Sequence, residues 1–204
     1  MSHLQTLEKS STSVERIVTL DGISWERFNK IEAYFDDVPS LRFTYLGGLL
    51  EIMAPISDEH ENVKTTVGYL LEAYLREKGI RFYGRGGFTL KKAGYSSCEP
   101  DESYCIGTNK KVPDIVIEVV ITSGSINKLE AYKQQAIPEV WFWKAKKLHI
   151  FHLKQGEYQE VGRSEFLPDL DLDQLLYYID YPDQYDAVLA FQAAIRGKTS
   201  PAIS

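Results

Sequence analysis

The segment "VPDIVIEVVITSG", residues 112–124, constrains the fold of this chain more than any other stretch. It is rich in Val and Ile, and the nine residues from Ile115 to Ser123 carry a single charge, at Glu118. This composition predicts a central β-strand that is buried on both faces. A carboxylate in such a strand costs several kcal/mol unless another group pairs with it. We therefore expect Glu118 to have a partner from elsewhere in the chain.

Alternation along this strand predicts where each side chain points. One face is wholly apolar and consists of Ile115, Ile117, Val119 and Ile121. The other face carries both acids and consists of Asp114, Val116, Glu118 and Val120. Asp114 follows Pro113, so a role in a turn or cap is the alternative to metal binding for this residue.

A second group of acids lies just upstream, in "CEPDESYCIG", which offers Glu99, Asp101 and Glu102 at the start of a neighbouring strand. The short connection "TNKK" makes this strand and the Glu118 strand a plausible antiparallel pair. Asp101 and Glu118 then converge. Two convergent carboxylates suit a hard divalent cation, because Mg²⁺ takes carboxylate oxygens and keeps several waters.

Lys128 is a candidate counter-charge for Glu118. The segment "SINKLEAYKQQA", residues 125–136, predicts a helix directly after the strand. Glu118 lies three residues before the strand's end, roughly 10 Å of rise. Lys128 lies about one turn into the returning helix, roughly 5 Å along its axis. A lysine side chain can span the gap that is left.

The rest of the chain predicts an α/β (α+β) fold, a mixed β-sheet flanked by helices. Further helices are expected at 24–35, 59–78 and 183–197, and further strands around a Gly47-Gly48 hairpin and at 80–83, 88–92, 101–107, 139–143 and 148–153. Residues 1–15 are polar and predict a flexible tail. The length of 204 residues and the 44% hydrophobic content favour a single domain over residues 16–200.

The charge balance bears on the kind of partner. A net charge of −6 argues against an overall nucleic-acid-binding surface, but leaves a local basic cleft open. The local basic cluster around "GRGGF" either contacts phosphates or is a solvated loop, and consists of Arg81, Arg85, Lys91 and Lys92. Cys98 and Cys105 do not have a zinc-site spacing. Without an export signal or a membrane span, we expect them to be reduced, in a cytoplasmic protein.

Five segments carry a resemblance to a known family, in matching order and spacing. They are "GGLLEIMAPISDEH", "EPDESYCI", "VPDIVIEVVITSG", "NKLEAYKQQAIPEVWFW" and "LPDLDLDQLL". The chain resembles the Uma-type restriction endonucleases, in the PD-(D/E)XK nuclease superfamily. The resemblance implies a restriction-endonuclease-like fold and a hydrolase that cleaves phosphodiester bonds of DNA with Mg²⁺ or Mn²⁺. It implies Asp101 and Glu118 as the metal ligands and is consistent with a homodimer.

The chain departs from the general motif at one position, since Val120 stands where the superfamily has its lysine. The resemblance suggests that Lys128 replaces this lysine from the next helix. If it does not, the alternative is a catalytically inactive nuclease fold that binds DNA or a partner. Glu51 matches an acidic position of the family and is a candidate third acid. His60 is either a core or cap histidine or a residue that orients the attacking water.

Overall fold

The computed structural model of the protein describes residues 16–38, 40–54 and 57–198. The tail expected at residues 1–15, and the last two residues of the expected domain, lie outside these ranges. Within them the strands are β1 (Arg16–Leu20), β2 (Arg42–Leu46), β3 (Leu49–Ala54), β4 (Phe82–Gly84), β5 (Leu90–Lys92), β6 (Ser96–Cys98), β7 (Glu102–Ile106), β8 (Ile115–Val120), β9 (Glu139–Lys144), β10 (Lys147–Lys154) and β11 (Glu157–Val161). The helices are α1 (Trp25–Tyr34), α2 (Asp58–Glu77), α3 (Lys128–Lys133), α4 (Leu172–Ile179) and α5 (Gln184–Lys198).

The larger sheet, called here the central sheet, has six strands in the order β11-β10-β9-β8-β7-β4. Strands β8 and β9 run parallel and are connected through α3, whereas the other neighbours are antiparallel. Five of the six residues of β8 are buried. The predicted central strand and the predicted mixed sheet flanked by helices are therefore confirmed.

The smaller sheet, called here the N-terminal sheet, has five antiparallel strands in the order β1-β3-β2-β6-β5. The predicted hairpin joins β2 to β3, with Leu46 opposite Leu49 and both intervening glycines at positive φ. The separate sheet itself was not predicted. Its strands β5 and β6 have three residues each, which is too short for a periodic signal.

Alternation along β8 sorts its side chains as the sequence predicts. Ile115, Ile117 and Val119 pack in the main core together with buried side chains of α2, α4 and α5. Val116 faces the other way and packs against Ala131 and Tyr132 of α3. Glu118 therefore lies on the face that α3 covers, which determines what can reach it.

Two helix starts differ from the sequence-based expectation. The helix expected at 125–136 is shorter and begins at Lys128. Asn127 is its N-cap, and the Asn127 side chain accepts a hydrogen bond from the backbone N–H of Leu129. Lys128 is therefore the first helical residue and not one turn inside the helix. The α2 helix begins after Ser57, whose side chain accepts a hydrogen bond from His60 N. Among the described helices, none is both long enough and apolar enough to cross a membrane.

Candidate functional site

Glu118 lies in β8 with 1% of its surface exposed, and both of its carboxylate oxygens are hydrogen-bonded. The Lys128 ammonium lies 2.5 Å from Oε2, and the Tyr132 hydroxyl donates to Oε1. Lys128 and Tyr132 are four residues apart on α3, so they project from the same side of the helix. The carboxylate that the sequence places in an apolar strand is thus paired with two donors from one helix.

The protonation states in this cluster follow from burial and from the neighbouring charges. Burial raises the pKa of Glu118, and the adjacent Lys128 ammonium opposes that rise. Burial alone would lower the pKa of Lys128, but the carboxylates of Glu118 and Asp101 outweigh it and raise that pKa above its usual range. Burial and the charge of Glu118 also raise the pKa of Tyr132. Lys128 therefore stays an ammonium and Tyr132 stays a hydrogen-bond donor at neutral pH.

Asp101 is fixed next to Glu118 by the edge of the neighbouring strand. It lies one residue before β7, and its backbone N–H donates to Ile117 O at 3.1 Å. One carboxylate oxygen accepts from Val119 N at 2.7 Å, and the other lies 2.9 Å from His60 Nε2. Burial would raise the pKa of Asp101, but these donors and the Lys128 charge together lower it. Asp101 is therefore an ionised carboxylate at neutral pH.

His60 reaches Asp101 from the first turn of α2. Its exposed fraction is 2%, and it is not one of the residues that line the cavity next to the site. The histidine therefore contacts the carboxylate from the buried side and holds it in place.

Glu51 joins the N-terminal sheet to the segment that leads into α3. Its Oε1 accepts from the backbone N–H and the hydroxyl of Ser125, the latter at 2.8 Å, and from Ile126 N at 2.8 Å. A methyl group on Gly124 would lie 2.6 Å from Cδ of Glu51 and closer still to Oε2. The carboxylate thus fixes the backbone just before Lys128.

A cavity of about 390 Å³ lies between the two sheets next to these acids. Asp101, Glu51 and Lys128 line it, whereas Glu118 does not. Its other walls include Arg42 and Phe43 of the N-terminal sheet and, from the central sheet, Phe142, Lys144, His149 and Phe151. Asp101, Glu51 and Lys128 are therefore accessible from one partly enclosed space, and Glu118 lies behind them.

Several residues of the cavity wall have partners of their own. Arg42 forms an ion pair with Glu99 at 2.5 Å. His149 Nδ1 lies 2.7 Å from Glu160 Oε1. Lys144, which also belongs to the cavity wall, lies at the end of β9 and is exposed to solvent.

Other residues singled out from the sequence lie away from this cavity. Asp114 accepts from Lys110 at 2.6 Å and from the backbone N–H of Ile106 at 2.7 Å, which matches the turn or cap interpretation. In the basic cluster, Arg85 donates to Lys110 O and its guanidinium lies 4.4 Å above the ring centre of Phe88. Lys91 is paired with Glu32. These two members of the cluster are thus engaged within the protein.

Sequence reasoning missed three residues of the site. The first is Tyr132, whose spacing of four from Lys128 is the sequence signal for a shared contact on one side of a helix. The other two are Phe142 and Lys144, which are two positions apart on β9 and so point to the same face of the sheet. The register places Phe142 beside Glu118 and Lys144 beside Val120. That register between parallel strands cannot be inferred from either segment alone.

The donor atoms of Asp101 and Glu118 fit Mg²⁺ or Mn²⁺. Both residues offer carboxylate oxygens, which these hard cations prefer. Each oxygen accepts one hydrogen bond and has a second lone pair left. In the described part of the chain no group of three or more His, Cys, Asp or Glu residues is arranged to hold a metal ion. An ion held by these two carboxylates alone would keep several waters, as Mg²⁺ usually does.

Comparison with known proteins identifies a family for this arrangement. The Uma2 family model, described as "Putative restriction endonuclease", matches residues 25–179, which is more than half of the chain. The matched range contains every described strand except β1, the helices α1 to α4, and all of the residues that surround Glu118. No curated protein was found to match the chain.

Proposed function

Because the chain belongs to the Uma2 family of restriction endonucleases, we propose that it is a metal-dependent endonuclease that hydrolyses phosphodiester bonds of DNA. The observation that carries the proposal is the convergence of two buried carboxylates and one ammonium beside a cavity. Asp101 and Glu118 come from neighbouring strands, and Lys128 comes from the helix that covers them. The Lys128 pair alone would neutralise Glu118, yet a second acid, Asp101, is held beside it although its charge raises the pKa of Glu118.

Asp101 and Glu118 are the residues that would hold the Mg²⁺ or Mn²⁺ ion. Such an ion supplies Lewis-acid polarisation of the phosphate and a more acidic water when it is bound. The chain's own groups prepare the ligands. Asp101 is kept ionised and oriented by His60 and by the backbone N–H of Val119.

Lys128 provides the positive charge of the proposed site. Its raised pKa keeps it protonated, so it can stabilise negative charge that develops on a phosphate. Glu51 fixes the backbone of Ser125 and Ile126 and thereby the start of the helix that carries Lys128. The motif lysine would lie on β8, where this chain has Val120. The arrangement supports the proposal that Lys128 of α3 takes its place.

Incubation of plasmid DNA and of oligonucleotides with Mg²⁺ or Mn²⁺ tests the activity. The protein should cleave them, and Asp101→Ala and Glu118→Ala should each reduce cleavage by roughly 100-fold or more. The control Glu59→Gln changes an exposed acid on α2 and should leave cleavage unchanged. Cleavage that survives both alanine substitutions would come from a contaminant and would refute the assignment.

Metal binding can be measured apart from cleavage. Mn²⁺ should raise the melting temperature of the protein, because an ion that binds only the folded state stabilises it. Asp101→Asn should abolish the shift, whereas Glu59→Gln should keep it. An equal shift in Asp101→Asn would place the ion elsewhere.

A catalytically inactive nuclease fold that binds DNA or a partner is the second candidate function. Two observations favour it, namely Val120 at the motif position and the closed pair between Lys128 and Glu118. DNA binding without cleavage of any substrate in Mg²⁺ or Mn²⁺ would support this alternative.

A homodimer would allow an active nuclease to cut both strands of a duplex. Sedimentation of the protein with and without DNA would show whether such a homodimer forms.

A further inference from the structure

The shape of the cavity beside Asp101 restricts which form of DNA can reach the site. The cavity volume is about 390 Å³, which is near the lower end of the roughly 300–1,000 Å³ that is usual for pockets holding small molecules. The major groove of B-DNA alone is about 12 Å wide. A whole duplex is wider than its own groove and is therefore too large for this cavity, whereas a single nucleotide is of the size of the small molecules that such pockets hold.

Burial of the acids makes entry into this cavity necessary. The Asp101 side chain is 10% exposed and lines the cavity, and Glu118 lies behind it. A strand that leaves the duplex at this point can bring a phosphate into the cavity and to Asp101.

The wall beside the acids is suited to a nucleobase. In the register of the central sheet, Glu118 is beside Phe142, and Phe142 is opposite His149. Neighbouring strands are roughly 5 Å apart, so an aromatic ring lies one strand away from the acid. Phe142 and Phe151 form an edge-to-face pair with ring centres 5.8 Å apart, and Phe43 faces the same cavity from the other sheet. Aromatic faces of this kind stack on bases with little sequence preference.

The charges are placed to hold the phosphates that flank such a base. Lys128, paired with Glu118, and the exposed Lys144 both line the cavity. The two lysines come from different elements, α3 and β9. A strand that enters with its base on Phe142 therefore meets lysines from two elements of the cavity wall.

We propose that the cavity takes one unpaired nucleotide of a DNA strand, with its base on Phe142 and its phosphate beside Asp101 and Lys128. The substrates of this site are then single-stranded or locally unpaired DNA, and a fully paired duplex is a substrate only after a nucleotide is extruded. The inference rests on the proposed nuclease function for its substrate. It concerns binding, which can be measured without cleavage.

Fluorescence polarisation in Ca²⁺ tests the inference with four labelled probes of one sequence: a DNA single strand, a perfect DNA duplex, a DNA duplex with a central unpaired bubble and an RNA single strand. The single strand and the bubble should bind about tenfold or more tightly than the perfect duplex. Phe142→Leu, which keeps an apolar side chain but removes the ring, should weaken single-strand binding by about tenfold. Tyr177→Leu removes an exposed aromatic ring on α4 and should have no effect.

A second variant keeps the test decisive if Phe142→Leu perturbs the fold. Lys144→Met changes an exposed residue, so the protein should fold normally. It should weaken binding of the single strand and reduce the slope of log K against log salt by about 1. Lys78→Met, an exposed lysine at the end of α2, should leave the slope unchanged.

The possible outcomes separate the inference from the proposed function. Equal affinity for the single strand and the perfect duplex would overturn the inference, even if the protein cleaves DNA. Single-strand preference that depends on Phe142, without any cleavage, would support the inference and refute the nuclease activity. Tighter binding of an RNA strand of the same sequence would overturn the assignment of DNA as the ligand.

Discussion

The Lys128 ammonium lies 2.5 Å from Oε2 of Glu118, although the two residues belong to different elements and are ten positions apart. The pair is nearly enclosed, because Glu118 is 1% exposed and the Lys128 side chain is 27% exposed. Removal of one partner leaves the other charge buried without compensation. The stability of the whole fold therefore depends on a residue that is also proposed to act on the substrate.

Substitution of Lys128 by Met should destabilise the protein by about 3 kcal/mol, since a buried carboxylate then loses its counter-charge. Urea unfolding measures the free energy. The matched control is Lys133→Met, which removes a lysine from the same helix. Its partners are the more exposed Glu130 and Glu157, so its removal should cost much less than that of Lys128. Equal losses in the two variants would show that the Glu118 pair contributes no more than a surface ion pair.

Substitution of Gly124 by Ala should destabilise the protein by about 1–3 kcal/mol. The added methyl group would overlap the Glu51 carboxylate, which hydrogen bonds to Ser125 and Ile126 hold in place. Thermal or urea unfolding measures the loss. Gly162→Ala is the control, because nothing lies within 4 Å of its new methyl group. A neutral Gly124→Ala variant would mean that Glu51 moves away at little cost.

Glu102 should make the protein less stable as the pH rises. Burial raises the pKa of Glu102 to about 7, against the effect of Lys64 and with added repulsion from the carboxylates of Glu72, Asp101 and Glu61. The folded state therefore keeps a proton on Glu102 at pH values at which the unfolded chain has lost it. The free energy of unfolding should fall as the pH rises from about 4.5 to about 7.

Glu102→Gln should remove this pH-dependent loss. The variant should be more stable than the parent protein by about 1 kcal/mol above neutral pH and should lose this advantage near pH 4.5. Urea unfolding over that pH range measures both curves. Glu59→Gln, at an exposed position of α2, should leave the pH dependence unchanged. A Glu102→Gln variant with the same pH profile as the parent would contradict the prediction.

Cys98 should be unreactive in the native protein. Both cysteines are free and buried, and burial together with the charge of Glu118 raises the pKa of Cys98 to about 12. The thiolate is the reactive form, so a Cys105→Ser variant should react with a disulfide reagent at neutral pH only after unfolding. The same assay in urea provides the control. Rapid reaction of the native variant would show that the segment covering Cys98 opens readily.

Local pattern was sufficient for much of the fold. The apolar run of β8, the alternation of its two faces and the turn at Gly47-Gly48 each depend on residues that are close in sequence. The start of α3 was predicted too early, because the N–H groups of Ser125 and Ile126 donate to Glu51. That carboxylate is 74 positions away from Ser125, so no local signal announces it.

The sequence by itself determined that Glu118 lies in a buried strand and needs a partner, since an isolated charge there is too costly. It also indicated Asp101 and Lys128 as neighbours, because short connections limit where they can lie. Only the tertiary structure decided that Tyr132 donates a second hydrogen bond to Glu118 and that Glu51 fixes the chain before Lys128. It also decided that Phe142 and Lys144 share the cavity. Those contacts arise where two sheets and a helix pack together, and packing between distant segments is not encoded in any local pattern.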